Sequence, residues 1–406
     1  MKVLHLSNYD VKGGAETIFQ ITRKISGVQN FTGYVKLDNS SDSPDISFHN
    51  WETDNKLTGT LNYIFSFRNY KRLRDFLNKT EIDIIHLQGF FSSLSPSILL
   101  AIKQAKKKRK IKVVQTLHDF HLVCPNSSLY NFNRNKICEK CIGKKLKLSI
   151  FIENCDRRGL MHSIIKGKRS FVASNVLGHR NIVDRFVCPS EFLKSKLIED
   201  GIDKKKIEVI RNPAVIKNSQ QVFEKQNMIC FFGRFSKEKN LEFLIDAFSL
   251  WKEKTKNNFQ LLLIGEGEEE TKIKEFAEKS TAKESIIFKG YMPFEKLTEQ
   301  IKHAKYFSMA TMCYENAPMS IVESLSLDII PLAPNFGGMK ESVEMIYKAG
   351  RTYQPNNKES WIKAITELES NYADILSNLR AHKNNILWEL RLENYYRKLI
   401  DVYSQL

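Results

Sequence analysis

The sequence predicts an α/β protein of two domains in tandem, each built on a doubly wound parallel sheet. Three observations carry this. Short, β-branched apolar runs alternate with helical periodicities along nearly the whole chain, the pattern of βα repeats. The alternation breaks once, at EVIRNPAVIKNSQQVFEKQN, where Asn212-Pro213 imposes an extended or turn conformation and the polar stretch after it has no period. A length of 406 residues is enough for two or three separate cores.

Element by element, KVLHLS reads as a strand and AETIFQITRKI as a helix. EIDIIHLQG and KVVQTLH are apolar runs of the buried parallel type. RFVCPSEFLKSKLIEDG gives a strand, a cap at Pro189-Ser190, then a helix. The second series runs from MICFFGRF through FQLLLIGEG, SIIFKGY, YFSMAT and IIPLAP. The expected organisation is a first domain over residues 1–212, a linker over 213–226 and a second domain over 227–383. A last segment, 384–406, with helical character from Asn384 to Tyr403, is expected to pack back on the first domain. Residues 121–160 lack clear periodicity and read as an insertion after the strand ending at His118; a loop that long is usually functional or disordered.

Apolar content of 42% and charge of 27% are those of a soluble globular protein. The apolar run after Lys2 covers only Val3 to Leu6 and reads as a strand, not as a cleavable signal. The longest apolar stretch, Ile84 to Ile102, is broken by His86, Gln88 and Pro96 and falls short of a membrane span. A cytoplasmic chain is the expectation. The net charge of +17 is concentrated: Ala101 to Ser170 holds 18 Lys plus Arg against 4 Asp plus Glu, a net of +14. Such a patch suits an anionic membrane face or nucleic acid, or is a solvated surface with no partner. Zinc-finger, aromatic RNP and recognition-helix patterns are all missing, which argues against nucleic acid.

Seven cysteines in a long chain without a leader argue against a disulfide framework. Four of them cluster in the insertion: Cys124, Cys138, Cys141 and Cys155, spaced C-x13-C-x2-C-x13-C. The central pair has the spacing of half a zinc site, while the flanking gaps are less diagnostic; a structural zinc and reduced, unligated thiols are the two readings.

Three segments, each after a strand, suit phosphate. In NYDVKGGAE, Gly13-Gly14 permits close backbone approach and the helix starting at Ala15 aims free amides outward. In GRFSKEKN, Gly233 ends a strand and Arg234 and Lys239 follow at the carboxyl end of the sheet, where open α/β sheets bind ligands. In YENAPMSIVES, Glu315 lies in a loop, Asn316 reads as an N-cap, Pro318 suits the first turn, and Glu323 sits about two turns into the helix. A carboxylate in each place can accept from a pair of sugar or ribose hydroxyls. Each segment alone is equally a tight βα turn, a pair of surface cations or two ordinary helix acids.

In order and spacing, these segments with DIIHLQG, TLHDF, VCPSEFLKSKL, EVIRNP, LLLIGEGEE and FGGMKES resemble the family-4 retaining glycosyltransferases of the GT-B fold. The resemblance covers nearly the whole chain. It implies two Rossmann-like domains facing across a cleft, the C-terminal one binding a nucleotide sugar and the N-terminal one an acceptor. It assigns Glu315 to donor sugar hydroxyls, Glu323 to the ribose, Arg234 and Lys239 to the diphosphate, and Gly14 to the approach to the phosphates. His118, in TLHDF, matches a histidine near the donor sugar; by itself it would be read as a strand-end histidine. Gly233, Gly265, Asn316, Ala317 and Pro318 complete the expected donor pocket, with the base near Gly265–Gly267 and Lys289–Tyr291. The family's Gly-Phe-Gly after the first glutamate is here Asn316-Ala317-Pro318, and its glycine after the motif lysine is Asn240. No metal or other cofactor is expected for the transfer itself. The expected acceptor is a saccharide or an undecaprenyl-diphosphate-linked oligosaccharide in a cell-wall, capsule or lipopolysaccharide pathway, met at the inner membrane face. A GT-B epimerase, which needs no acceptor, is the rival within the fold.

Overall fold

The computed structural model describes residues 1–11, 13–40, 42–214, 223–346 and 348–406. It divides into two compact units, Met1–Pro213 with Glu393–Leu406, and Ala214–Leu392. Most of the linker expected over 213–226 lies outside the described residues, and the second unit's first strand begins at Gln226.

The first unit holds a seven-stranded parallel sheet in the order β3-β2-β1-β4-β5-β8-β9. Its strands are β1 (Lys2–Leu6), β2 (Gln29–Tyr34), β3 (Ile46–Ser47), β4 (Ile84–Leu87), β5 (Lys112–Thr116), β8 (Arg185–Cys188) and β9 (Ile207–Val209). The central strands are buried on both faces, as continuous apolar runs such as ValLeuHisLeu and IleIleHisLeu require of a sheet covered by helices on both sides. The cap after β8 is as expected: Ser190 accepts from the Leu193 amide at the start of the helix Glu191–Glu199. The insertion carries a small antiparallel hairpin, β6 (Tyr130–Asn131) and β7 (Lys136–Ile137), and a short helix, Ser149–Ile152.

The second unit holds a six-stranded parallel sheet, β12-β11-β10-β13-β14-β15. The strands are β10 (Gln226–Phe232), β11 (Gln260–Ile264), β12 (Ile286–Lys289), β13 (Ala304–Ser308), β14 (Ile330–Pro334) and β15 (Arg351–Tyr353). Counted from its own first strand this is the 3-2-1-4-5-6 dinucleotide order, with the reversal between β10 and β13. The first sheet reverses likewise between β1 and β4. Loops leaving those strands are thus the ones that open at a ligand crevice.

The end of the chain differs in detail from the expectation. A helix over Tyr372–Trp388 closes the second unit, a turn follows, and only the helix Leu392–Ser404 lies in the first unit. There Tyr395, Leu399, Val402 and Tyr403 join Val3, Ile84, Val114 and Val187 in one apolar cluster. Buried hydroxyls fix its position: Tyr403 bonds His86 Nδ1 at 2.7 Å and Tyr395 bonds Thr22 Oγ1 at 2.6 Å.

Candidate active site

In the second unit, the turns after β10 and β11 are interlocked. Gly233 and Gly265 have φ of 151° and 142°, backbone that favours glycine. A Cβ on Gly265 would stand 1.9 Å from the Gly233 carbonyl oxygen, and one on Gly267 would stand 2.2 Å from that of Phe235. The turn Lys237–Lys239 follows, then Asn240 at φ 55°, and the helix Leu241–Thr255. The position where glycine was expected therefore demands the left-handed region, which asparagine tolerates better than other side chains. That departure is conformationally equivalent.

Arg234 and Lys239 leave this turn as partnered cations. Arg234 Nη2 donates to Glu238 Oε1 at 2.9 Å, with its side chain 57% exposed. Lys239 Nζ donates to Glu315 Oε1, bringing together two residues 76 apart in sequence. Burial pulls the Lys239 ammonium down, but the Glu315 carboxylate outweighs it and holds the lysine above its ordinary value.

Glu315 is in the loop after β13. That loop is pinned from β14's side: the Gly338 amide donates to the Glu315 carbonyl at 2.8 Å, and a Cβ on Gly338 would lie 1.7 Å from the Asn316 carbonyl oxygen. Two sequence expectations are corrected here. Asn316 is not the N-cap: the helix runs Met319–Ser326 and Pro318 holds the cap position, with no side chain capping it. Glu323 is consequently just over one turn into the helix, not two. The uncapped first turn leaves amides open between the two carboxylates. Burial pushes the Glu323 carboxyl up to about 7.

In the first unit, the helix Gly14–Thr22 follows β1 with Gly13 at its N-cap. Gly13 is in extended backbone that any residue adopts, and a Cβ on Gly14 would meet nothing within 4 Å. Nothing in the chain's own packing requires glycine at 14. His118 follows β5; its Nε2 is 2.7 Å from Gln88 Oε1, so that nitrogen carries the proton. Burial lowers His118 to about 4, so the ring is neutral near pH 7. His118 and Gln88 line a cavity of about 860 Å³ at the carboxyl ends of β1, β4 and β5. The charged and aromatic residues around it, Trp51, Tyr63, Lys166 and Arg169 among them, went unread in the sequence. The one available signal was the spacing of His162, Lys166 and Arg169 on one helical face.

Cys124, Cys138, Cys141 and Cys155 are close enough that their thiols act on one another, and burial pushes Cys141 and Cys155 up to about 12. Among the described residues no group of three or more His, Cys, Asp or Glu is placed to hold a metal ion. Among the described residues, too, no helix is long and apolar enough to cross a membrane.

Two doubly wound parallel sheets in tandem are the architecture of the GT-B glycosyltransferases. The chain belongs to the family: residues 214–385 match the model of glycosyl transferases group 1, and residues 53–216 that of glycosyltransferase family 4. An uncharacterized glycosyltransferase of Methanocaldococcus jannaschii is 24% identical over 336 residues, 80% of this chain and 78% of that protein. The lipopolysaccharide 1,6-galactosyltransferase of Escherichia coli is 22% identical over 204 residues, 47% of this chain and 55% of that one. Among solved structures, Anabaena HepE in complex with UDP-glucose shares the fold, with a TM-score of 0.66, 16% identity and full coverage of both chains. Nothing in these matches or in the site points to the epimerase or nucleic-acid readings.

Proposed function

We propose that this glycosyltransferase takes a sugar from a nucleotide-sugar donor held in the second unit and passes it, with retention and without a metal, to a saccharide or lipid-diphosphate-linked saccharide acceptor held in the first. The observation that carries this is the Lys239–Glu315 pair at the reversal of the second sheet. With donor bound, Lys239 and Arg234 meet the diphosphate, and Glu315 turns to sugar hydroxyls. Glu323 accepts from the ribose, and Gly233, Gly265, Ala317 and Pro318 shape the pocket. Departure of the nucleoside diphosphate places charge on a phosphate oxygen, which two cations and open helix amides stabilise. That oxygen then receives the acceptor's proton, so no side chain is assigned as general base. UDP-glucose in the Anabaena structure supports a nucleotide sugar as donor, and the E. coli relative's name supports a saccharide acceptor.

The test is a panel of nucleoside diphosphates and nucleotide sugars read by thermal shift, since a ligand of the folded state raises its apparent stability. Product analysis with the stabilising donor follows. A panel with no stabilising nucleotide would sink the proposal.

We also propose a peripheral seat on the inner membrane face. In the insertion, Leu146, Leu148 and Ile152 are 48%, 57% and 80% exposed beside Lys144 and Lys145. Each cation near an anionic bilayer contributes about 1 kcal/mol. Sedimentation with anionic liposomes at low salt is the expected result; its failure counts against this seat.

A further inference from the structure

We propose that the cavity in the first unit selects an acceptor carrying an anion, a phosphate or a carboxylate, and that Arg169 is the residue that reads it. The inference rests on the glycosyltransferase reading, because it names the acceptor class for that same reaction. Its ground is a buried charge with no ion-pair partner among the described residues. Arg169 lines the 860 Å³ cavity, a volume usual for small-ligand pockets, yet only 3% of the residue is exposed. Its Nη1 donates to the Phe91 carbonyl at 2.9 Å, and its Nε has no hydrogen-bond partner. No carboxylate of the described residues forms an ion pair with it. The guanidinium instead lies over the rings of Tyr63 and Phe91, 4.3 and 5.0 Å from their centroids. A buried guanidinium is held there at a cost that a paired carboxylate normally offsets; here Asp119, itself bonded to His121, acts on it without forming an ion pair.

The neighbouring charges sharpen the point. Arg158 and Lys166 line the same cavity and share one acid, Asp156, at 3.1 and 2.7 Å. Those two cations thus share a single carboxylate, which leaves none of it for Arg169. The other acids of the cavity are occupied. Asp119 accepts from His121, Asp54 is taken by His49 and Asn62, and Glu52 is engaged with Tyr9. Glu16 also has a partner. A planar guanidinium held rigid by two rings offers paired donors to a planar carboxylate or a phosphate, and a neutral hydroxyl cannot match that.

Trp51 lines the cavity and is the only tryptophan of the first unit, so its emission reports on this pocket. The experiment titrates the full chain with methyl glucuronide, glucose 1-phosphate and neutral methyl glucoside, with Trp51→Phe as the blank. The expected result is charged probes binding roughly 10-fold tighter or more than the neutral one, the worth of a charge-assisted hydrogen bond. Arg169→Gln should bring that ratio to about 1, and Arg169→Lys should keep part of it and so guard against a merely misfolded variant. Equal affinities in the wild type, or an unchanged ratio in Arg169→Gln, overturn the proposal. A preference for phosphate alone over glucuronide names a phosphorylated acceptor, and the reverse names a uronic acid. Transfer assays separate this from the parent reading. Sugar transfer to neutral and charged acceptors at equal efficiency defeats the anion subsite and leaves the transferase standing. A charge preference in a chain that moves no sugar does the opposite.

Discussion

Replacing Gly338 with alanine tests whether the position of Glu315 is set by a single backbone contact. The added Cβ would start 1.7 Å from the Asn316 carbonyl oxygen and 2.8 Å from that of Glu315. To reach 3.0 Å, about the closest approach real Cβ atoms show, backbone must move by 3.0 − 1.7 = 1.3 Å. The obstructing atoms are main chain, so no flexible side-chain end can yield instead. Overpacking of this kind costs roughly 1–3 kcal/mol of stability. The functional cost is separate, because the displaced loop carries Glu315 and the entry to the helix Met319–Ser326. A misplacement of about 1 Å at a reacting centre is worth roughly 100-fold in rate. The assay pairs thermal unfolding with transfer turnover at saturating donor; Gly14→Ala, whose new Cβ meets nothing, is the control for unfolding alone. A Gly338→Ala protein that unfolds and turns over like wild type would refute the contact's role.

Lys239→Ala and Glu323→Ala should each abolish transfer while shifting the melting temperature little; retained turnover in both would end the site assignment. Glu315→Gln should also slow transfer, because an amide matches two hydroxyl donors less well than a carboxylate, and a rate equal to wild type counts against that contact. Glu323 gives a pH signature. Between about 4.5 and about 7 the folded chain holds a proton there that the unfolded chain has lost. Its stability contribution therefore falls as pH rises through that window, while affinity for a ribose-bearing ligand rises; both slopes should vanish in Glu323→Gln, as thermal and calorimetric titrations can read. Tyr403→Phe should cost roughly 1–3 kcal/mol, because buried His86 Nδ1 loses its partner; an unchanged denaturation midpoint would show that bond to be idle.

Much of this molecule was legible because parallel strands buried on both faces have to be apolar runs, and runs such as IleIleHisLeu and LeuLeuLeuIle announce themselves. Ser190 was legible as a cap because its hydroxyl has a local job, reaching an amide three residues on. What escaped is what depends on distant partners. Asn316 looked like a cap by composition, but the Gly338 contact fixes the loop and the helix starts later. Asn240 looked like a departure until its φ showed that conformation, not residue type, is what the turn requires. Arg169 reads in sequence as one more cation in a basic stretch. Only the fold shows it to be buried against two rings, with no ion pair among the described residues.

The helix Leu392–Ser404 has a consequence for how the protein is made. His86 and Tyr403, bonded in the finished first unit, are 317 residues apart. Everything in the second unit is synthesised between them, so the first sheet emerges from the ribosome without the part of its apolar cover that Tyr395, Leu399, Val402 and Tyr403 supply. The second unit, continuous in sequence, is free to fold before the first is complete. Order of synthesis and order of completion are thereby reversed, and a break anywhere in the later half of the message leaves the earlier half's core open to solvent.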